Sequence, residues 1–117
     1  MALADKSCIP CRGGVPPMEP ARVQEMLSEL AEGWEATINK TRLERTYPFK
    51  NFAGALAFAN KIGEVAEREG HHPDLHIRWG ACKVEIWTHK INGLSEGDFI
   101  LAAKIDRIYE GQGPKDL

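Results

Sequence analysis

Four histidines supply the side chains best suited to moving protons near neutral pH, and all four fall between Glu67 and Asp98. That stretch reads EREGHHPDLHIRWGACKVEIWTHKINGLSEGD. His71 and His72 follow a strongly helical run and precede Pro73. His76 lies in the next strand-like run, and His89 ends the one after it. Two strands folded back as a hairpin would return His89 to the His71–His72 pair. An imidazole titrates near pH ~6.5, so such a cluster can both give and take protons. Glu67 and Asp98 are acceptors able to set its tautomers.

Three readings of the cluster compete. The first is acid–base chemistry by His71, His72 and His89. The second is a metal centre, since imidazole and carboxylate are good zinc ligands. Spacing speaks against it: His71 and His72 are adjacent on extended backbone and diverge, and no H-x-x-x-H pair lies on a helix. The third reading makes each histidine an ordinary solvated residue. It leads for His76, which alternates with Leu75 and Ile77, and it is weaker for the His-His-Pro corner, where Pro73 orders a loop of polar groups.

The elements that must position these groups can be read from periodicity and punctuation. Pro20 opens a first helix with Val23, Met26, Leu27 and Leu30 on one stripe and Gly33 as its stop. Trp34, Ala36 and Ile38 alternate as a strand, and Asn39-Lys40-Thr41 turns into a second. There Leu43, Tyr47 and Phe49 share a face with Arg45 as the polar exception, and Pro48 marks an edge or a strand end. Asn51 caps a long helix whose buried face is expected at Phe52, Leu56, Ala59, Ile62 or Gly63, and Ala66. Ala53, Gly54, Ala55 and Ala57 give it a small-residue surface, and Gly70 ends it in the left-handed conformation. His71 and His72 then sit past a helix C-terminus, whose partial negative charge favours an imidazolium. Pro73 holds His72 extended.

Leu75, Ile77 and Trp79 form one face of a third strand, and Gly80-Ala81 turns into a fourth running through Lys83 to His89. Cys82, Val84, Ile86 and Thr88 share one face of it; Glu85, Trp87 and His89 share the other. Ser95 and Asp98 have capping-box spacing at the start of a third helix, which carries Leu101, Ala102, Ile105, Ile108 and Tyr109 on one side. The order α-β-β-α-β-β-α predicts an α+β fold, a four-stranded antiparallel sheet with three helices on one face. Residues 1–19 read as a flexible arm, 20–110 as the domain and 111–117 as a tail. An open sheet edge makes self-association through strand pairing an expectation.

Bulk properties narrow the class. The formal charge of −2 with interspersed signs lacks the basic face that grips nucleic-acid phosphates. No run reaches the ~18 apolar residues of a membrane span, and the first residues lack the pattern of a signal peptide, so a cytoplasmic chain is expected. Three cysteines do not suggest a disulfide framework. Cys8 and Cys11 form a C-x-x-C, but no second pair completes a zinc site and no strand leads into it, which favours a structurally idle arm.

Together Glu67, His71-His72-Pro73, Trp79, His89 and Asp98, at these intervals, resemble the motif of the pterin-4a-carbinolamine dehydratase family. The Thr88-His89 step, Gly93-Leu94-Ser95, Gly33-Trp34, the aromatic strand ending at Phe49, and Phe52 extend the resemblance over roughly residues 20–110. It implies loss of water from a 4a-hydroxytetrahydropterin to give the quinonoid dihydropterin, in recycling of the tetrahydrobiopterin cofactor. It implies a site without metal or cofactor. His71, His72 and His89 would be catalytic, with Glu67, Pro73, Thr88, Asp98 and Trp34 contacting or shaping the pterin site. A homodimer or homotetramer is implied, the latter adding the small-residue face of the second helix. Non-catalytic interaction or assembly proteins on the same fold form the alternative. Two positions depart from animal members: Gly70 stands where they carry Asp, and Trp87 where they carry a small polar residue.

Overall fold

The computed structural model describes residues 3–6 and 16–111; the Cys8–Cys11 pair lies outside the described residues. The chain forms α1 (Pro20–Leu27), β1 (Glu35–Thr37), β2 (Arg42–Pro48), α2 (Phe52–Glu69), β3 (Asp74–Arg78), β4 (Ala81–Ile86) and α3 (Glu96–Glu110). Short 3-10 turns cover Leu3–Asp5 and His89–Ile91. This is the expected α+β order, with a single antiparallel sheet in the order β1-β2-β4-β3. Each hairpin is local in sequence, and β2 against β4 joins the two. No helix among the described residues is long and apolar enough to cross a membrane.

Register decides which face is covered. Leu43 opposes Ile86, Tyr47 opposes Cys82, and Cys82 in turn opposes Ile77, so one face is apolar across three strands. Val23 and Met26 of α1, Phe58 and Ile62 of α2, and Leu101 and Ile105 of α3 complete its core. Full burial of each large side chain contributes about 2 kcal/mol. The other face is polar: Glu44 pairs with Lys83 at 3.1 Å, and His76 opposes Lys83 there, outside any cluster of imidazoles. Burial pushes the Cys82 thiol up to about 11. Near the N-terminus, Leu3 is buried against α3, and Lys104 donates to the Ala4 carbonyl at 2.9 Å.

Several local expectations are corrected. α1 stops at Leu27, where the Ser28 N–H returns to Glu25 and Met26 carbonyls, so Gly33 is not its terminator. Gly33 has φ 109, and a Cβ there would stand 2.9 Å from Arg45 Nε; the position is reserved for the passing guanidinium. Ile38 leaves β1 because Ile38, Asn39 and Lys40 are all left-handed, and its side chain is 61% exposed. The buried face of α2 runs through Ala55, Phe58, Ala59, Ile62, Val65 and Ala66. Phe52 and Leu56, expected inside, are 46% and 41% exposed. The first half of this helix is apolar over most of its circumference, so periodicity alone does not fix its rotation. The β3–β4 turn is Trp79-Gly80, because Arg78 already pairs with Ala81 and Gly80 supplies the positive φ of 81. Trp79 is thereby 74% exposed. Finally, β4 ends at Ile86, and His89 opens a 3-10 turn closed by a Thr88–Gly93 bridge.

Arg45, the polar exception on the inner face of β2, has a buried partner. Asp106 of α3 accepts from Arg45 at 2.6 Å, from the Tyr47 hydroxyl at 2.5 Å and from the Trp34 indole N–H at 2.9 Å. Asp106 is only 5% exposed. Burial, together with the adjoining carboxylate, raises the Tyr47 phenol well above its ordinary value. A buried carboxylate with three donors ties α3 to the start of β1 and to β2. Replacing it leaves a buried cation and two N–H or O–H groups without an acceptor. Asp106→Ala is therefore expected to lower the unfolding free energy by about 3 kcal/mol in urea titrations. A loss below about 1 kcal/mol would show that water or neighbouring groups replace the carboxylate.

Candidate active site

Three chain ends meet at one end of the sheet: the C-terminus of α2, the end of β4 and the N-terminus of α3. Gly70, with φ 67, ends α2, and the His71 N–H returns to the Ala66 carbonyl at 3.2 Å. The chain then turns sharply into β3 instead of continuing along the helix axis. Gly70, His71, His72, Trp87, Thr88, His89 and Lys90 line a cavity of about 270 Å³. The three motif histidines thus share one cavity, although His71 and His89 are separated by a complete hairpin.

His71 is the most restrained of them. Its Nε2 lies 2.5 Å from Asp98 Oδ1, with side chains 12% and 0% exposed respectively. The other Asp98 oxygen accepts from the Ser95 N–H at 2.8 Å, from the Thr88 hydroxyl at 2.8 Å and from the Ser95 hydroxyl at 3.3 Å. Asp98 occupies the third position of α3, where helix N–H groups point toward negative charge. The carboxylate therefore caps α3, ties down the end of β4 and holds one imidazole. An acceptor at Nε2 favours the Nε2–H tautomer of His71 and leaves a lone pair on Nδ1.

His72 and His89 are held differently. His72 Nε2 lies 2.5 Å from Glu67 Oε2, but these side chains are 59% and 79% exposed, so the pair is screened and adds little to stability. The exposed His89 ring leans on Trp87, with centroids 4.3 Å apart and planes at 54°. Trp87 also carries the Arg42 guanidinium, 4.2 Å from its ring centroid.

The other expected contacts fall into two groups. Thr88 lines the cavity, while Glu67 and Asp98 reach it through His72 and His71. Pro73 is not among the lining residues, and Trp34 lies elsewhere, its indole committed to Asp106. Lys90 and Gly70 also line the cavity, and neither stands out in the sequence as a contact. Ser95 supports Asp98 from the helix cap; its spacing to Asp98 is the signal for it in the sequence. Among the described residues, no group of three or more histidine, cysteine or acidic side chains is disposed to hold a metal ion.

Residues 16–108 match the family described as pterin 4 alpha carbinolamine dehydratase. A protein of Rickettsia canadensis (strain McKiel) is 57% identical over 105 residues, covering 89% of this chain and 94% of its own. One from Alkaliphilus metalliredigens (strain QYMF) is 50% identical over 105 residues, covering 90% and 94%. Both carry pterin-4-alpha-carbinolamine dehydratase as a provisional name. A crystal structure from Brucella melitensis, described as a transcriptional coactivator/pterin dehydratase, superposes with a TM-score of 0.73 at 28% identity. That match covers 79% of this chain and 97% of the other. A pterin dehydratase-like protein described as a RuBisCO assembly factor in the alpha-carboxysome shares the fold, with a TM-score of 0.57 at 18% identity. It covers 66% of this chain and 89% of its own.

The double use of Asp98 generates a prediction with two readouts. Asp98→Asn keeps the shape but offers an amide in place of one carboxylate oxygen. Loss of a charged helix cap is expected to cost about 1 kcal/mol in urea unfolding. Nitrogen-15 NMR above the imidazole titration should show His71 mainly as the Nε2–H tautomer in the wild type and as a mixture in the variant. An unchanged tautomer in the variant would mean that Asp98 does not set it.

Proposed function

The chain belongs to the pterin 4 alpha carbinolamine dehydratase family, and we propose that it removes water from a 4a-hydroxytetrahydropterin to give the quinonoid dihydropterin. The observation that carries this reading is the shared cavity of His71, His72 and His89, with a buried carboxylate behind one of them. At about 270 Å³ the cavity suits a bicyclic heterocycle better than an extended ligand. Cleaving the C4a–O bond requires a proton delivered to the departing hydroxyl and another taken from a ring N–H. His71, with Nε2 directed at Asp98, offers Nδ1 as the base. His72 and His89, which line the same cavity, would be the sources of the proton that leaves with water. Thr88 and the backbone beside His89 would meet the donor and acceptor edge of the pterin. Trp34 does not line the cavity and acts, in this reading, only through the packing it shares with Asp106. The reaction would serve tetrahydrobiopterin recycling in the cytoplasm, with no cofactor of its own.

The wild-type protein is expected to accelerate dehydration of synthetic 4a-hydroxytetrahydropterin, followed by the absorbance of the product. His71→Ala combined with His89→Ala should lower the rate by at least about 10²-fold, the usual contribution of general acid–base groups, without unfolding the chain. The wild-type rate should also respond to pH between about 5.5 and 8, where imidazoles titrate. A wild-type rate equal to buffer would hand the lead to an interaction or assembly protein on the same fold. A flat pH profile would remove histidine acid–base chemistry.

We propose further that the chain forms a homodimer or homotetramer. β3 and β1 are the outer strands of the sheet, and β3 is the longer of the two at five residues. Phe52 and Leu56 leave an apolar strip on the outer side of α2. Light scattering behind size exclusion is expected to give twice or four times the chain mass. A monomer mass at every concentration would overturn this.

A further inference from the structure

Of the three cavity imidazoles, two are held by carboxylates, whereas among the described residues the His89 ring has no hydrogen-bond partner. It sits at the start of an exposed 3-10 turn, His89–Ile91, and its ring packs on Trp87 at 4.3 Å. What fixes His89 must therefore come through Trp87 and the turn itself. Arg42 reaches both. Its guanidinium lies 4.2 Å from the Trp87 ring centroid, and its Nη2 donates to Asn92 Oδ1 at 3.1 Å. Its Nη1 donates to the Thr41 carbonyl at 3.0 Å, which anchors the fork to the residue just before β2. Asn92, left-handed at φ 47 and ψ 47, closes the turn by returning its N–H to the His89 carbonyl at 3.2 Å.

We propose that Arg42, which does not line the cavity, is a positioning residue for His89, holding its ring through Trp87 and its backbone through Asn92. A planar fork suits both roles, because it stacks on an aromatic face while its edge donates in fixed directions. A lysine can keep a positive charge over the indole but cannot reproduce the fork. The proposal rests on the dehydratase reading for its kinetic consequence and on geometry alone for its structural one.

The test uses the full chain and two readouts. In carbon-13 NMR, with the His89 imidazole assigned by comparison with His89→Gln, Arg42→Met is expected to shift the His89 ring signals and leave those of His71 in place. In the 4a-hydroxytetrahydropterin assay the same change should lower kcat about tenfold with KM changed less than about twofold, as expected when a reacting group is misplaced rather than lost. Arg42→Lys should recover part of that loss, and it serves for both readouts if Arg42→Met does not fold. In the His89→Gln background, Arg42→Met should cost nothing more, because the group it positions is gone. Unmoved His89 signals, or losses that multiply in the double variant, would overturn the proposal. A wild type without dehydratase activity would instead overturn the reading beneath it, and the His89 signals would then decide the clamp on their own.

Discussion

A carboxylate at the head of a helix, closed off from water, has to find donors on every side or the fold loses several kcal/mol. Asp98 meets that demand with groups from three elements, and the meeting point is the site. One oxygen is taken up by the cap of α3 and by the Thr88 hydroxyl beyond β4; the other faces His71 at the end of α2. No part of this arrangement requires a ligand. Helix capping, strand termination and imidazole orientation are satisfied by the same four donors. The placement of His71 and Thr88 is therefore tied to the helix start that supports it.

A second buried carboxylate clarifies what is particular about the first. Asp106 lies eight residues along α3, about 12 Å at 1.5 Å per residue. It too gathers donors from distant elements, here Trp34, Arg45 and Tyr47. None of those donors changes charge near neutral pH, so the cluster locks α3 onto β2 without offering chemistry. The helix works as a strut with a polar joint at each end of its inner face. Only the joint at Asp98 includes an imidazole. Trp34 belongs to the other joint, which is why its place in the wider resemblance does not make it part of the cavity wall.

Much of the architecture is legible in the sequence because its determinants are local. Asn51 accepts from the Gly54 N–H as a cap should, Gly70 adopts the left-handed turn, and Ser95 with Asp98 forms the box that their spacing suggests. The return of His89 toward His71 follows from hairpin arithmetic. What cannot be read depends on partners far apart in sequence. The pairing of β2 with β4, which puts two hairpins into one sheet, has no local signature. Arg45 looks like a flaw in an apolar face because Asp106 is 61 residues away. The rotation of α2 escapes periodicity since Phe52, Leu56 and Phe58 fit two overlapping stripes, and only packing against α3, β3 and β4 selects between them. Arg42 gives no hint of reaching Trp87, for the same reason of distance.

The three cavity imidazoles are chemically alike in sequence and unlike in place, and that difference bears on how a proton donor and a proton acceptor could coexist there. His71 is nearly enclosed and has one nitrogen committed to a carboxylate that cannot move without uncapping α3. Its other nitrogen keeps a lone pair in that fixed ring orientation, which in the proposed dehydration is the property wanted of a base. His72 is in solvent beside a still more exposed Glu67. His89 has an aromatic neighbour, Trp87, instead of a carboxylate. In the proposed dehydration, the enclosed imidazole would then accept, and the solvent-connected pair would supply and replenish the proton carried off with water. The fold restrains each of these identical side chains through a different kind of contact.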